Sequence, residues 1–343
     1  MPQLTDHQLM SAAESTWGTP VTVSRAVPIL PDSSYDWDQT RYEGQGLHVS
    51  SPGGVLLSAR AGAGIGAGTI APKFELFSKG LGLWLNAWAG TSTVTLVSGT
   101  TWQHVHTFIS AGTVLPAQTV QAGIVDNTGT LRPHTFAGVT VGSGELEIPP
   151  GPDGLAMLSL DCDAKSIATA TAAGTWTPAT GFTTFGGYST ASVITIGGAI
   201  TAPTTTALGS SSGTVTTAIK RVKLSYGNNI DKARWTVGGR NQPTVGRREP
   251  ALELDYEFGD VTQRDAIISQ ASQALLVDLQ TSEALSSGNA RFQLVIPDFK
   301  LEPGGMPGFT SGETVVQQLK GKIFWNLTQS PVYLVMRTAD AAL

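Results

Sequence analysis

One cysteine, Cys162, stands in a chain of 343 residues. A lone thiol closes no intramolecular disulfide and builds no thiolate metal cluster, so no cysteine scaffold holds the fold. Charge is scarce too. Asp, Glu, Lys and Arg make up 14% of residues, against roughly 25% in ordinary soluble domains. No apolar run approaches the ~18 residues of a membrane-spanning helix. The opening MPQLTDHQLMSAAESTWG lacks the apolar core of a secretory leader. These absences point to a protein made in the cytosol and not inserted in a membrane. The formal charge of −5 lacks the basic excess with which a protein grips duplex DNA.

What the chain has is threonine, about one residue in eight, and 40 glycines. A Thr/Ser/Gly surface suits a protein covered by partners, or an extracellular β-protein. Short apolar and β-branched runs between Gly, Pro, Asn and Ser clusters predict a mainly β fold of antiparallel strands. Strands are expected near 20–30, 35–42, 70–77, 103–109, 117–125, 136–148, 154–163, 183–196, 217–226, 232–238, 250–258, 274–282, 290–301, 318–326 and 331–338. Two segments read as helices. SKGLGLWLNAWAG (78–90) has apolar residues at 81, 84, 85 and 88, one face of a helix. DVTQRDAIISQAS (260–272) offers Asp260 as N-cap with Gln263 three residues on, the capping-box spacing. Val261, Ile267, Ile268 and Ala271 are its expected buried stripe. Each helix follows a similar strand, APKFELF or PALELDYEF, which suggests a duplicated strand–helix–strand unit. Residues 50–68 (SSPGGVLLSARAGAGIGAG) and 197–215 (GGAITAPTTTALGSSSGTV) read as loops, mobile or ordered against a neighbour.

PALELDYEF alternates with period two, so Leu252, Leu254, Tyr256 and Phe258 share one strand face and Glu253, Asp255 and Glu257 the other. TAIKRVKLSYGNNIDKARWTVGG (217–239) reads as a hairpin. Arg221 and Lys223 face outward on its first strand. Lys232 and Arg234 face outward on its second, with Ala233, Trp235 and Val237 inward. If the acidic strand lies beside it, opposite charges meet across the ladder. Alternatively, one of these surfaces faces another subunit or a channel, in head-to-tail contacts.

Catalytic constellations are thin. His104 and His106 in WQHVHTF share a strand face, about 6.5 Å apart. As a metal chelate they lack a third ligand fixed by spacing; His134, Asp161 and Asp163 are the candidates. Asp161 and Asp163 in LDCDAK form a possible carboxylate pair for glycoside hydrolysis. GAGIGAG lacks the strand-to-helix setting of a dinucleotide loop, and VGSGEL lacks that of a nucleophile elbow. The sequence therefore predicts no enzyme and no cofactor. Trp37, Trp102 and Trp176 remain as stacking platforms if the chain is a monomeric extracellular β-sandwich module for glycans.

Four stretches carry a family resemblance: ESTWGTPVTVSRAVPIL (14–30), FELFSKGLGLWLNAWAG (74–90), FAGVTVGSGELEIPPGPDGLAMLSLDCDAK (136–165) and IKRVKLSYGNNIDKARWTVGGRNQPTVGRREPALELDYEF (219–258). In this order they resemble the major tail tube proteins of long-tailed, non-contractile bacteriophages, especially those of actinobacterial phages. The resemblance implies a tail-tube-like domain over 1–343. It comprises a β-sandwich or partial barrel with one or two flanking helices, completed into a barrel on oligomerisation, and an N-terminal arm (1–18). It implies a virion protein assembled into stacked six-fold rings around a channel for double-stranded DNA. Partners would be the chain itself, a tape-measure protein, and tail initiator and terminator proteins. Glu253, Asp255 and Glu257 become candidates for the channel wall. Lys232, Arg234, Arg247 and Arg248 become candidates for contacts between subunits or rings. A terminator or distal-tail protein is the nearest alternative.

Overall fold

The computed structural model describes residues 7–43, 61–151, 153–169, 171–259, 261–305 and 315–343. In chain order the elements are β1 (Gln8–Ala13), β2 (Arg25–Ala26), β3 (Ser34–Glu43), β4 (Ala61–Ala71), β5 (Lys73–Glu75), α1 (Gly82–Ala89), β6 (Gly90–Ser98), β7 (Thr101–Phe108), β8 (Gln118–Val125), β9 (Leu131–Ile148), β10 (Met157–Ala164) and β11 (Ser166–Ala168). There follow β12 (Val193–Ile196), β13 (Ile200–Thr201), β14 (Ser210–Ser211), β15 (Thr214–Val215), β16 (Ile219–Gly227), β17 (Trp235–Thr236), β18 (Gly239–Arg240), β19 (Ala251–Glu257), α2 (Thr262–Ser269), β20 (Gln273–Ala284), β21 (Asn289–Leu301), β22 (Val316–Ile323) and β23 (Tyr333–Thr338).

The fold is mainly β, as expected, and its strand ladders are antiparallel. One sheet runs β3–β4–β10–β9–β16–β19–β22, with β5 continuing the β4 side of β10. A second runs β15–β12–β20–β21–β23–β7–β6. Strand β21 belongs to both: Arg291–Val295 pairs with β23, and Phe299–Leu301 with β22. The first half of β9 adds a third patch with β8, β1, β2 and β11.

Between the sheets lies α1. Leu81, Trp84, Leu85 and Trp88, the residues at helical spacing, are all 0% exposed. Burying each is worth about 1.5–3 kcal/mol. Trp88 sits so close to β9 that a Cβ on Gly144 would lie 2.4 Å from its ring; only glycine admits that approach. Its indole N–H donates to the Tyr226 carbonyl at 3.0 Å. Asn228 then donates to the Trp88 and Val141 carbonyls at 2.9 and 3.0 Å. The Asn-rich turn thus locks helix, β9 and β16 together. The ESTWG stretch has an equally local logic. The Glu14 carboxylate accepts from the Gly18 and Gly138 N–H groups and from Thr119 Oγ1, at 2.7, 2.8 and 2.8 Å. Trp17 donates to the Gly138 carbonyl.

Several sequence expectations are corrected. Residues 20–30 contribute only β2, and 183–196 only β12. Within the expected N-terminal arm, residues 8–13 form β1, hydrogen-bonded to β8; residues 1–6 lie outside the described residues. Of the expected 50–68 loop, residues 50–60 also lie outside them, while 61–68 belong to β4. Alternate small residues let that strand lie flat under β3; Gly66, for example, sits beneath the Trp37 ring. Asp260, the expected cap of α2, is not among the described residues, and that helix starts at Thr262 without a side-chain cap. Its buried side is Gln263, Ala266 and Ile267, whereas Val261 and Ile268 are exposed.

The bland 197–215 segment is ordered against the second sheet. Gln103 donates to the Thr204 and Ala207 carbonyls at 2.7 and 2.9 Å. Gln293 accepts from the Gly209 N–H at 2.9 Å, and Arg337 donates to the Thr206 carbonyl at 2.8 Å. Side chains of the sheet hold the backbone of the segment, so it needs few apolar side chains of its own.

Candidate functional site

The first sheet packs Leu146, Val222, Leu224, Leu252, Leu254 and Leu319 inward. Period-two alternation therefore turns the charged residues of the same strands to solvent. Register brings Glu147, Lys223, Glu253 and Lys320 opposite one another across β9, β16, β19 and β22. The row alternates in sign. The face as a whole carries five acids (Glu145, Glu147, Glu253, Asp255, Glu257) and five bases (Lys220, Arg221, Lys223, Lys320, Lys322).

Pairs both diagonal and directly opposite knit the rows. Arg221 reaches Glu147 at 2.6 Å and Asp255 at 3.9 Å. Lys223 reaches Glu145 at 2.9 Å, Lys220 reaches Glu257 at 3.3 Å, and Lys320 reaches Glu253 at 3.9 Å. The hydrogen bond to Glu147 raises the Arg221 pKa, so the guanidinium is held more firmly charged. The surface is strongly polar but charge-balanced.

The acidic strand does lie beside the basic strand β16, so opposite charges meet as the sequence suggested. The second basic strand is not there. Residues 228–250 leave the sheet; Trp235–Thr236 and Gly239–Arg240 pair with each other, and Thr244 makes an isolated bridge to Val114. Trp235 and Val237, expected inward, are exposed. The far side of β19 is occupied instead by β22 and its lysines. The bases of β22 and the acids Glu145 and Glu147 of β9 were missed as members of this face. Their alternation was visible in ELEI and VQQLKGKI, but neighbourhood in a sheet is not written in one strand.

The remaining candidates scatter. Lys232 pairs with Asp161 at 3.5 Å, and Arg234 donates to the Gln242 carbonyl at 2.6 Å. Arg247 pairs loosely with Glu249 at 3.7 Å and is 86% exposed. Arg248 folds back over Phe108 and Tyr226, its guanidinium carbon 5.8 and 5.6 Å from the two rings.

Asp161 and Asp163 do not form a carboxylate pair. A register shift between Asp161 and Cys162 sends Asp163 inward, where it meets Arg240 at 2.5 Å with both side chains almost wholly buried. Burial raises the Asp163 pKa, and Arg240 offsets part of the rise. His104 and His106 do share a face of β7, with ring centroids 6.2 Å apart. They are buried rather than displayed. His104 Nε2 bonds the Asp340 carbonyl at 2.8 Å, and His106 Nδ1 bonds Ser92 Oγ. Desolvation lowers both pKa values, that of His106 to about 3. Among the described residues no cluster of three or more His, Cys, Asp or Glu side chains gathers to hold a metal.

No curated protein matches the chain. The family model described as "Phage tail tube protein" matches residues 5–321. An antiparallel β-sandwich whose first sheet displays a charge-balanced face is thus a member of the phage tail tube protein family: a structural, non-enzymatic component of the virion tail that associates with itself and with other tail components.

Proposed function

We propose that the chain is the repeating subunit of a hollow tube of stacked hexameric rings through which double-stranded DNA leaves the virion. The face built on β9, β16, β19 and β22 is its lumen wall, with Glu253, Asp255 and Glu257 among the wall residues. The observation that carries this reading is the charge balance of an exposed and highly polar face. Four of its five cations are already partnered by carboxylates. DNA sliding past would displace few counterions from such a wall and gain little affinity from it. A wall of free lysines would hold the phosphates, and a bare acidic wall would repel them.

Open strand edges support closure of the tube by neighbours. Among the described residues, strand β6 is paired only with β7, and β3 only with β4. The β6 sequence GTSTVTLVS has neither charge nor proline, the usual guards of a free edge. Strand β3 is exposed along nearly its whole length, as suits an arm lying on another subunit. Lys232, Arg234, Arg247 and Arg248 contribute contacts between subunits or rings. Its partners in this reading are further copies of the chain, a tape-measure protein, and tail initiator and terminator proteins.

Electron microscopy of the purified chain, with and without tape-measure and initiator proteins, tests the assembly. Tubes are expected, and persistent monomers under every condition would overturn it. The lumen assignment is tested by the double variant Glu253→Lys, Glu257→Lys. It turns a balanced wall cationic and should slow DNA ejection, most strongly at low salt. Unchanged ejection from intact variant tails would remove these residues from the wall.

A further inference from the structure

Among the described residues, Arg248 is a cation without a counter-ion. Its Nη1 donates to the Ile109 carbonyl, but Nε and Nη2 are shielded from solvent and have no hydrogen-bond partner among those residues. Glu249, the nearest acid in sequence, pairs with Arg247 instead. The rings beside the guanidinium, Phe108 and Tyr226, stack on each other at 3.7 Å and give it cation–π contact. Burial lowers the Arg248 pKa, and its interaction with Tyr226 offsets part of that. A desolvated guanidinium with two idle donors is an expensive feature for a monomer to keep.

It also lines a cavity. Some 450 Å³ open between the ends of β7, β16, β22 and β23, walled by Phe108, Tyr226, Ile323, Trp325 and Pro331 beside Arg248. The chain just past β22 is apolar and uncovered: Phe324, Trp325 and Leu327 are 40%, 62% and 76% exposed. An aromatic rim around a half-buried arginine is the composition of a protein–protein hot spot, not of a solvated surface.

We infer that this cavity is a socket for a carboxylate side chain of a second copy of this chain. The inference rests on the tube reading above. It names the contact that Arg248 makes there. The second copy is favoured on charge as well: acids outnumber bases in the chain, 26 to 21, and acids such as Asp38, on the exposed strand β3, make no ion pair among the described residues. Turning the flexible Arg248 side chain aims Nε and Nη2 into the cavity, the paired-donor geometry that carboxylates accept best.

The variant Arg248→Met keeps bulk and removes the charge. It should raise the protein concentration needed for tube growth about 10-fold or more, the scale of one interface hot spot. The isolated subunit should melt at the same temperature or higher, because an uncompensated charge has gone. Arg248→Lys, which keeps charge but loses the fork, should recover part of the assembly. A lower melting temperature with unchanged tube growth would make Arg248 a structural residue and overturn the inference. An electron-microscopy map of wild-type tubes decides independently. A neighbour's carboxylate on Arg248 supports the socket. A cavity filled by own-chain atoms or water, in tubes that form normally, removes the socket and leaves the tube reading standing. Failure of the wild-type chain to form tubes would remove both.

Discussion

The solvent face of the first sheet and the interior beneath it both hold ionisable groups, yet they obey different rules. On the face, nine of the ten charges pair across β9, β16, β19 and β22 while water reaches them. Inside, the side chains of Asp163, Arg240, His104 and His106 are nearly sealed from solvent, Asp163 against Arg240 and His104 against the Asp340 carbonyl. Coulomb attraction between charges at hydrogen-bond distance is several-fold larger in the interior than at the surface, but so is the cost of stripping water from the charge. Face charges are therefore cheap to rearrange and suited to a surface that touches passing or neighbouring molecules. Interior charges are expensive to disturb and act as clamps.

The largest difference is expected at Arg240. Besides Asp163, its guanidinium donates to the Lys232 carbonyl at 3.1 Å and to the Ala164 carbonyl at 3.4 Å. It thus pins the 229–246 excursion to β10. Arg240→Ala leaves the Asp163 carboxyl buried without a partner and should cost about 3–5 kcal/mol in urea unfolding. The double variant Arg240→Met, Asp163→Leu should lose far less, because it removes the stranded charge as well. If the single and double variants are equally destabilised, packing and not the ion pair holds the excursion.

A middle-sized effect is expected from pH. His106 is neutral in the folded chain, with its pKa lowered to about 3, and titrates near 6.5 when unfolded. Between those values the unfolded chain binds the extra proton, so stability rises with pH. The contribution is fully present above pH 6.5 and is lost progressively as pH falls towards 3. From pH 7.5 to pH 5 it amounts to about 2 kcal/mol. His104, shifted the same way, adds to it. In His106→Gln, denaturant melts at the two pH values should show a difference smaller by about that amount. An unchanged difference would assign the acid sensitivity elsewhere.

How much of this was legible in the sequence follows from the range of the interactions. Alternation in PALELDYEF and the 81, 84, 85, 88 spacing in α1 are local, and both report the buried face correctly. The Glu14, Trp17 and Asn228 contacts give ESTWG and YGNN a local role: each ties a turn to β9. Strand β6 (GTSTVTLVS) was not foreseen, because its Thr and Ser look like loop residues and it earns its place by pairing with β7. The expected 232–238 strand shrinks to the two residues of β17, paired only with β18 among the described residues, and β22 takes the place beside β19 from much further along the chain. The site suffered from the same blindness. Glu253, Asp255 and Glu257 were visible as one strand face, but the bases that balance them sit on strands whose adjacency only the fold decides. Arg248 was visible as a basic residue and not as a cation lacking an anion.

The smallest effect should come from the face itself. Glu253→Gln removes one carboxylate whose partner, Lys320, is 3.9 Å away and 68% exposed. Water replaces the lost contact, and the freed ammonium stays hydrated. Exposed pairs of this kind are worth roughly 0.2–1 kcal/mol, so the subunit should melt within about a degree or two of wild type. The substitution should nevertheless shift the balance of the face by one positive charge. In assembled tubes that change should appear as salt-dependent slowing of DNA passage, weaker than in the double lysine variant. A destabilisation approaching that of Arg240→Ala would show that the face behaves as interior, and the contrast between the two regions would fail.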